Sequence, residues 1–143
     1  MAYDSPVFTA IIQPMRDELT AIGFTEIHTP EVVDKVLTSH QGTMMLVVNS
    51  ICGCAAGIAR PAIAKAMANG PTPDHLYTVF AGQDVEATAQ ARTYFTNFPP
   101  SSPSIAFFKN GKFINLIERH QIEKHSKEDV TRLIVKELQR LDA

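Results

Sequence analysis

Apolar positions along the chain change period several times, and each change marks an element. Val7, Phe8, Ile11, Ile12, Met15 and Leu19 recur at helical spacing behind Ser5-Pro6, an N-cap followed by a proline at the first helical position, and Gly23 closes the segment. Phe24 to His28 is a short strand candidate. Thr29-Pro30 repeats the cap-and-proline signal ahead of Val32, Val33, Val36 and Leu37, and Gly42 ends that helix. The run 43–48 is apolar throughout and predicts a buried strand. Residues 54–69 predict a helix that stops at Gly70. Leu76 to Ala81 is a second apolar strand, and Asp84 is placed to cap a helix running to about Phe95. A proline–serine loop, Pro99 to Pro103, leads into Ile105–Phe108 and Phe113–Ile117. These last two runs flank Asn110-Gly111, the strongest short hairpin signal. Ser126 caps a final helix carrying Val130, Leu133, Ile134, Leu138 and Leu141.

Strands and helices therefore alternate until the hairpin. Alternation predicts an α/β fold with a parallel sheet covered by helices on both faces, and the hairpin adds antiparallel strands. No internal repeat, low-complexity tract or linker divides the chain, so residues 1–143 are expected to form one domain.

Composition narrows the function classes. The hydrophobic fraction is 45% and the charged fraction 20%, ordinary for a globular protein. A formal net charge of −2 and a pI near 6.2 offer no electrostatic case for nucleic acid or an anionic membrane as partner. No apolar run approaches the roughly 20 residues that span a bilayer. Met1-Ala2-Tyr3-Asp4-Ser5 lacks the basic and apolar regions of a secretory leader. A cytoplasmic location is the expectation. There thiols are kept reduced, so paired cysteines point to reactivity rather than to a structural staple.

The only cysteines are Cys52 and Cys54, separated by Gly53, at the junction of the 43–48 strand and the following helix. A helix N-terminus presents unpaired N–H groups and the positive end of the helix dipole. Both favour the thiolate, the reactive form, so the placement predicts thiol–disulfide chemistry. Two other uses compete. Cys52 as a small buried core residue fits poorly beside Ser50, Gly53 and Gly57, which are small and polar or bare. A zinc site needs four ligands, and nothing places His120 or His125 near a cysteine pair of this spacing, so no metal is expected.

The layout resembles the thioredoxin fold. A cysteine motif follows the central strand and opens a helix, Pro61 lies inside that helix, Pro103 stands just before the hairpin strand, and Phe108-Lys109-Asn110-Gly111 resembles the thioredoxin hairpin turn. More closely, Asn49-Ser50-Ile51-Cys52-Gly53-Cys54-Ala55-Ala56-Gly57, Val79-Phe80-Ala81-Gly82-Gln83-Asp84, Pro99-Pro100-Ser101-Ser102-Pro103-Ser104 and Ile117-Glu118-Arg119-His120 resemble the bacilliredoxin family, in family order over nearly the whole chain. The resemblance implies removal of bacillithiol from mixed disulfides on protein cysteines, and weak disulfide isomerase activity, with no cofactor. It implies bacillithiolated client proteins as partners, with bacillithiol or a protein reductant for recycling.

On this reading Cys52, nearest the strand end, is the nucleophile and Cys54 the resolving thiol. Gly53 supplies the backbone freedom that closing so small a disulfide ring requires. The alternative for Cys54 is a spectator on the first helical turn. The Ser102–Pro103 bond is expected to be cis, turning the Ser102 N–H and C=O toward the cysteines as a substrate-binding edge. Thioredoxins carry a buried acid six residues before the first cysteine; Leu46 stands there, so no such acid assists Cys54. Arg60 and Lys65 follow on the helix, as thiol-pKa modulators or as solvated charges. Glu118-Arg119-His120 is expected to end the last strand, as a structural ion pair or as part of the thiol site. His28, His40, His75 and His125 have no partner recognisable in the sequence. A rival from another class is a redox-sensing binding module whose thiols react once with a partner and do not turn over.

Overall fold

The computed structural model describes residues 6–39 and 41–142. Ser5, the expected cap of the first helix, and His40 lie outside the described residues. The elements follow the predicted order with one addition, the short α5: α1 (Pro6–Thr20), β1 (Thr25–Glu26), α2 (Pro30–Ser39), β2 (Thr43–Asn49), a widened turn over Ala55–Ala59 running into α3 (Arg60–Asn69), β3 (His75–Phe80), α4 (Val85–Arg92), β4 (Ser104–Lys109), β5 (Lys112–Ile117), α5 (Arg119–Ile122) and α6 (Lys127–Asp142). The sheet order is β1-β3-β2-β4-β5. The β1–β3 and β3–β2 pairs are parallel, and β4 and β5 are antiparallel to their neighbours.

β2 lies at the centre of this sheet, and every one of its residues is buried. Successive side chains of a strand point to opposite faces, so a strand covered on both faces must be apolar at consecutive positions. Met45 and Val47 of β2, with Ile105 and Phe107 of β4, join the layer formed by Leu19 of α1, Ile63 and Ala66 of α3, and Ile134 and Leu138 of α6. Met44, Leu46 and Val48, with Ala106 and Phe108, face the opposite layer. There Val33 and Leu37 of α2 meet Ala87 and Ala91 of α4 and a cluster of rings. In that cluster Phe113 meets Phe95 at a tilt and Phe98 and Phe108 edge-on, with centroids 5.6, 5.9 and 5.7 Å apart. Leu46 is fully buried, an apolar residue where the thioredoxin pattern has an acid.

The caps are local and specific. Val32 N–H donates to Thr29 Oγ1 at 3.3 Å, and Asp129 N–H donates to Ser126 Oγ at 3.0 Å. Asp84 departs from expectation. It precedes α4, but its side chain makes no cap bond. The carboxylate instead takes Arg16 at 3.0 and 3.2 Å, His28 Nδ1 at 3.0 Å and the Phe80 N–H at 2.9 Å. A guanidinium is a stronger partner for a carboxylate than a lone helix N–H. That pairing holds the Asp84 carboxyl below the usual range: burial would raise it, and the bonds from Arg16, His28 and Phe80 more than offset burial. His28 therefore has a partner, and so does His75, whose Nε2 lies 3.0 Å from the Gln41 carbonyl.

The helix after the cysteines is interrupted where Pro61 predicts. Proline has no N–H to give the carbonyl four residues back, so the ladder must adjust. It widens over Ala55–Ala59, and Arg60 N–H reaches five residues back to the Ala55 carbonyl.

Asn110 and Gly111 both take positive φ, 52° and 77°, the signature of the tight hairpin turn the dipeptide predicts. A Cβ on Gly111 would stand 2.8 Å from the Thr38 carbonyl oxygen at the end of α2. Gly111→Ala should therefore lower the unfolding free energy by at least about 1–2 kcal/mol, the penalty of a left-handed non-glycine residue with the backbone clash added. Urea denaturation of the variant beside the parent checks this, and an unchanged midpoint would contradict it.

Candidate active site

The cysteine turn leaves the end of β2, and the residue that ends the strand, Asn49, organises it. Asn49 Oδ1 accepts from Ser50 N–H at 2.8 Å and from Arg60 Nη1 at 3.0 Å. Its Nδ2 donates to the Met15 carbonyl of α1 at 3.2 Å, and its own carbonyl accepts from Ala81 N–H at 3.0 Å. Arg60 Nη1 also donates to the Ser50 carbonyl at 2.8 Å, and its Nε lies 3.1 Å from Glu18 Oε2. Arg60 is 3% exposed, so it is neither a solvated charge nor aimed at the thiols; it ties the strand exit to α1 and α3. Lys65 is exposed on α3.

Ser50 then turns the chain: its hydroxyl accepts the Cys52 N–H at 3.2 Å. Ile51 is exposed, an apolar side chain on the surface just before the thiols. Gly53 and Cys54 already have helical backbone, and the Cys52 carbonyl accepts from Ala55 N–H at 3.1 Å and Ala56 N–H at 3.2 Å. Cys52 thus sits at the mouth of the helix, as its sequence position predicts. Both cysteines are free thiols and partly exposed, so Cys52 is not a sealed core residue. Gly53 is exposed and does not take positive φ, and nothing lies within 4 Å of where a Cβ would be. The thiol form makes no steric demand for glycine there.

The two thiols are driven apart electrostatically. Burial pushes Cys52 up, but it is outweighed by hydrogen bonds to its sulfur from the Cys54 thiol, the Ala55 N–H, the Ser50 hydroxyl and the Cys54 N–H, so its pKa falls below the ordinary value. Cys54 moves the other way: burial raises it, as do donation to Cys52 and the nearby Cys52 charge, against a lowering pull from Arg119. The surroundings thus favour the thiolate at Cys52 and the protonated thiol at Cys54.

The Pro/Ser loop reaches the same end of the sheet. β2 pairs with β4 through Val48 and Ser104, so the register carried one step further sets Pro103 beside Asn49. The Ser102–Pro103 bond is cis, as expected from the sequence. Two guanidinium groups hold the loop: Arg92 Nη2 donates to the Ser101 carbonyl at 3.2 Å, and Arg119 Nη1 to the Ser102 carbonyl at 3.3 Å. One lone pair of the Ser102 carbonyl is thus already engaged.

Glu118-Arg119-His120 does not simply end a strand. β5 stops at Ile117, and Arg119 opens the short helix α5, where Glu118 N–H donates to Gln121 Oε1 at 2.9 Å. The Glu–x–x–Gln spacing is a capping box with Glu in place of the usual Ser or Thr, a weak start signal for so short a helix. His120 Nε2 lies 3.0 Å from Glu118 Oε2. Arg119 Nε donates to Glu123 at 3.1 Å while its charge acts on both cysteines. Among the described residues no three His, Cys, Asp or Glu side chains are placed to share a metal ion. No helix among them is long and apolar enough to cross a membrane.

The opposed shifts predict a pH profile. A lowered Cys52 pKa means more thiolate than an ordinary cysteine at any pH below about 8.5, and a loss of reactivity only as pH falls through the lowered value. Alkylation of the reduced protein by iodoacetamide should therefore titrate in two steps, Cys52 below about 8.5 and Cys54 above it. Ser50→Ala, which removes a donor to the Cys52 sulfur, should move the first step up. A single step at the ordinary thiol value would contradict the assignment.

Similarity to known proteins matches this geometry. The family described as Disulphide isomerase matches residues 8–141. A bacilliredoxin of Geobacillus kaustophilus is 51% identical over 131 residues, covering 91% of this chain and 90% of its own. A bacilliredoxin of Bacillus cereus is 52% identical over 115 residues, covering 80% of this chain and 79% of its own. Solved structures share the fold at low identity. Thioredoxin from Trypanosoma brucei brucei superposes with a TM-score of 0.60 at 14% identity, over 84% of this chain and 91% of that one. Oxidized mitochondrial thioredoxin 3 from Saccharomyces cerevisiae gives 0.60 at 14% identity, over 87% and 99%. With half its residues shared with such relatives, and a thiol pair at the mouth of a thioredoxin-fold helix, the chain belongs to the bacilliredoxin family of thiol–disulfide oxidoreductases.

Proposed function

We propose that the protein removes bacillithiol from mixed disulfides on client proteins, in the cytoplasm, with Cys52 as nucleophile and Cys54 as resolving thiol. The observation that carries this reading is the opposed environment of the two thiols: a lowered Cys52 beside a raised Cys54 that donates to it. The names of the relatives add the small thiol.

The chemistry is two exchanges. The Cys52 thiolate attacks the bacillithiol sulfur of the mixed disulfide. A bond forms between Cys52 and bacillithiol, the client S–S bond breaks, and the client leaves as a thiolate that takes a proton from water. Cys54 then loses its proton and attacks the Cys52 sulfur, which expels bacillithiol as a thiolate and leaves a Cys52–Cys54 disulfide. Two equivalents of a free thiol, or one dithiol reductant, return that disulfide to two thiols and leave oxidised as a disulfide; alternatively a free thiol attacks the bacillithiol sulfur of the first adduct, releasing the Cys52 thiolate and leaving as a mixed disulfide with bacillithiol. Closing the Cys-Gly-Cys ring requires departure from the helical backbone at Gly53, which is where an exposed glycine with free space around it helps. Ile51 offers apolar contact to the client, and Ser102-Pro103 offers the remaining backbone groups of the loop. A weak isomerase activity would use the first exchange alone, with a client disulfide as target and a client thiol as the resolving group.

The test uses a purified client carrying bacillithiol on one cysteine. The parent should release it, and Cys52→Ser should abolish release. Cys54→Ser should still free the client but accumulate with bacillithiol bound to Cys52, visible by intact-protein mass spectrometry. If Cys54→Ser blocks the first exchange while Cys52→Ser does not, the two roles are reversed.

A further inference from the structure

We propose that Arg119 is the specificity residue of the site, its guanidinium binding a carboxylate of the small thiol carried on Cys52. The inference rests on the proposed action on bacillithiol mixed disulfides and extends it to how the small thiol is recognised.

The placement of Arg119 is the first argument. Arg60, the other arginine close to the cysteine turn, is buried and committed to Asn49, Ser50 and Glu18. Arg92 is half-buried on the Ser101 side of the loop. Arg119 alone of these three is exposed, and it is fixed at the site rather than left to wander. Nη1 is held by the Ser102 carbonyl at 3.3 Å, and its backbone N–H reaches Ser101 Oγ at 3.4 Å.

The second argument is what the guanidinium has left to offer. Nε faces Glu123, and Nη2 makes no hydrogen bond among the described residues. The Arg119–Glu123 contact is an exposed pair four residues apart on a surface, with side chains 44% and 38% exposed, and such pairs are weak and readily exchanged for an incoming anion. Glu118, the residue before it, faces His120. A guanidinium fork matches a carboxylate with two parallel N–H donors, which a lysine cannot.

The third argument is chemical. Bacillithiol is a cysteine–glucosamine conjugate that ends in malate, so once it is joined to Cys52 its carboxylates must lie near the cysteine turn. A cation held beside that turn can reach them. The same chemistry would favour any carboxylate-bearing small thiol over a neutral one.

The experiment compares one client protein loaded with bacillithiol, with glutathione, or with β-mercaptoethanol, and reads the ratio of kcat/KM for each carboxylate-bearing thiol to that for the neutral one. The ratio removes any change that Arg119 makes to thiolate reactivity itself. Arg119→Gln should lower both ratios about tenfold, the scale of one charge-assisted hydrogen bond, and Arg119→Lys should restore only part. In the parent, raising the ionic strength should lower the ratios in the same direction. Ratios that stay within about twofold in Arg119→Gln and do not respond to salt would overturn the proposal. If the parent acts no faster on the bacillithiol client than on the β-mercaptoethanol client, the bacillithiol reading fails, while the glutathione ratio still decides the role of Arg119.

Discussion

One side chain holds the exit of the central strand. Asn49 uses both ends of its amide at once: the oxygen takes Ser50 N–H and Arg60, and the nitrogen gives to Met15. The Ser50 N–H, in a buried contact, takes its partner from this side chain, and a buried donor left unpaired costs about 1–3 kcal/mol. Arg60 is the demanding member. It is 3% exposed: Nη1 donates to both the Asn49 side chain and the Ser50 carbonyl, and the Glu18 carboxylate of α1 lies 3.1 Å from Nε to balance the charge. The cysteine turn is therefore set by a polar knot beneath it. The knot joins β2, α1 and the helix that follows, and the thiols inherit its rigidity.

Above that knot the site separates two chemically identical groups. Cys52 and Cys54 differ because one collects donors and the other supplies one. The Cys54 thiol, the Ala55 N–H at the helix mouth and the Ser50 hydroxyl act together to lower the Cys52 pKa against the effect of burial. Arg119 pulls Cys54 down, but burial and the neighbouring Cys52 charge outweigh it. No buried carboxylate takes part, since Leu46 fills that position with hydrocarbon. The asymmetry comes from which sulfur collects the hydrogen bonds, with the exposed Arg119 cation, held on the Ser102 carbonyl, acting against it at Cys54.

Much of this was readable in the chain. Consecutive apolar residues at 44–48 predicted a strand covered on both faces, and Asn110-Gly111 predicted the turn, because each signal is local and sterically narrow. Cys52 at a helix start and Pro103 before a hairpin strand were equally local. Three features were not. Asp84 reads as a cap because its competitor, Arg16, lies 68 residues away and only the fold brings them together. Arg60 reads as a solvated helix charge because helical spacing does not reveal that its face is turned inward against Asn49. Arg119 reads as a strand end because the Glu118–Gln121 start signal is so short that it closes only one turn. The misses share a cause: charged residues are assigned to solvent by default, and their partners are distant in sequence.

The sheet also bears on how the protein behaves in a crowded solution. A sheet's outer strands expose unpaired backbone groups on which a foreign strand can grow. Here one outer strand, β1, is only two residues long and offers almost no template. The other, β5, begins at an exposed lysine, Lys112, and the β4–β5 ladder shifts register at Phe107/Phe108, an irregularity that twists the ribbon away from flat pairing. Neither outer strand therefore gives a foreign chain a long, flat edge to extend, so the sheet needs no further element to cover its edges.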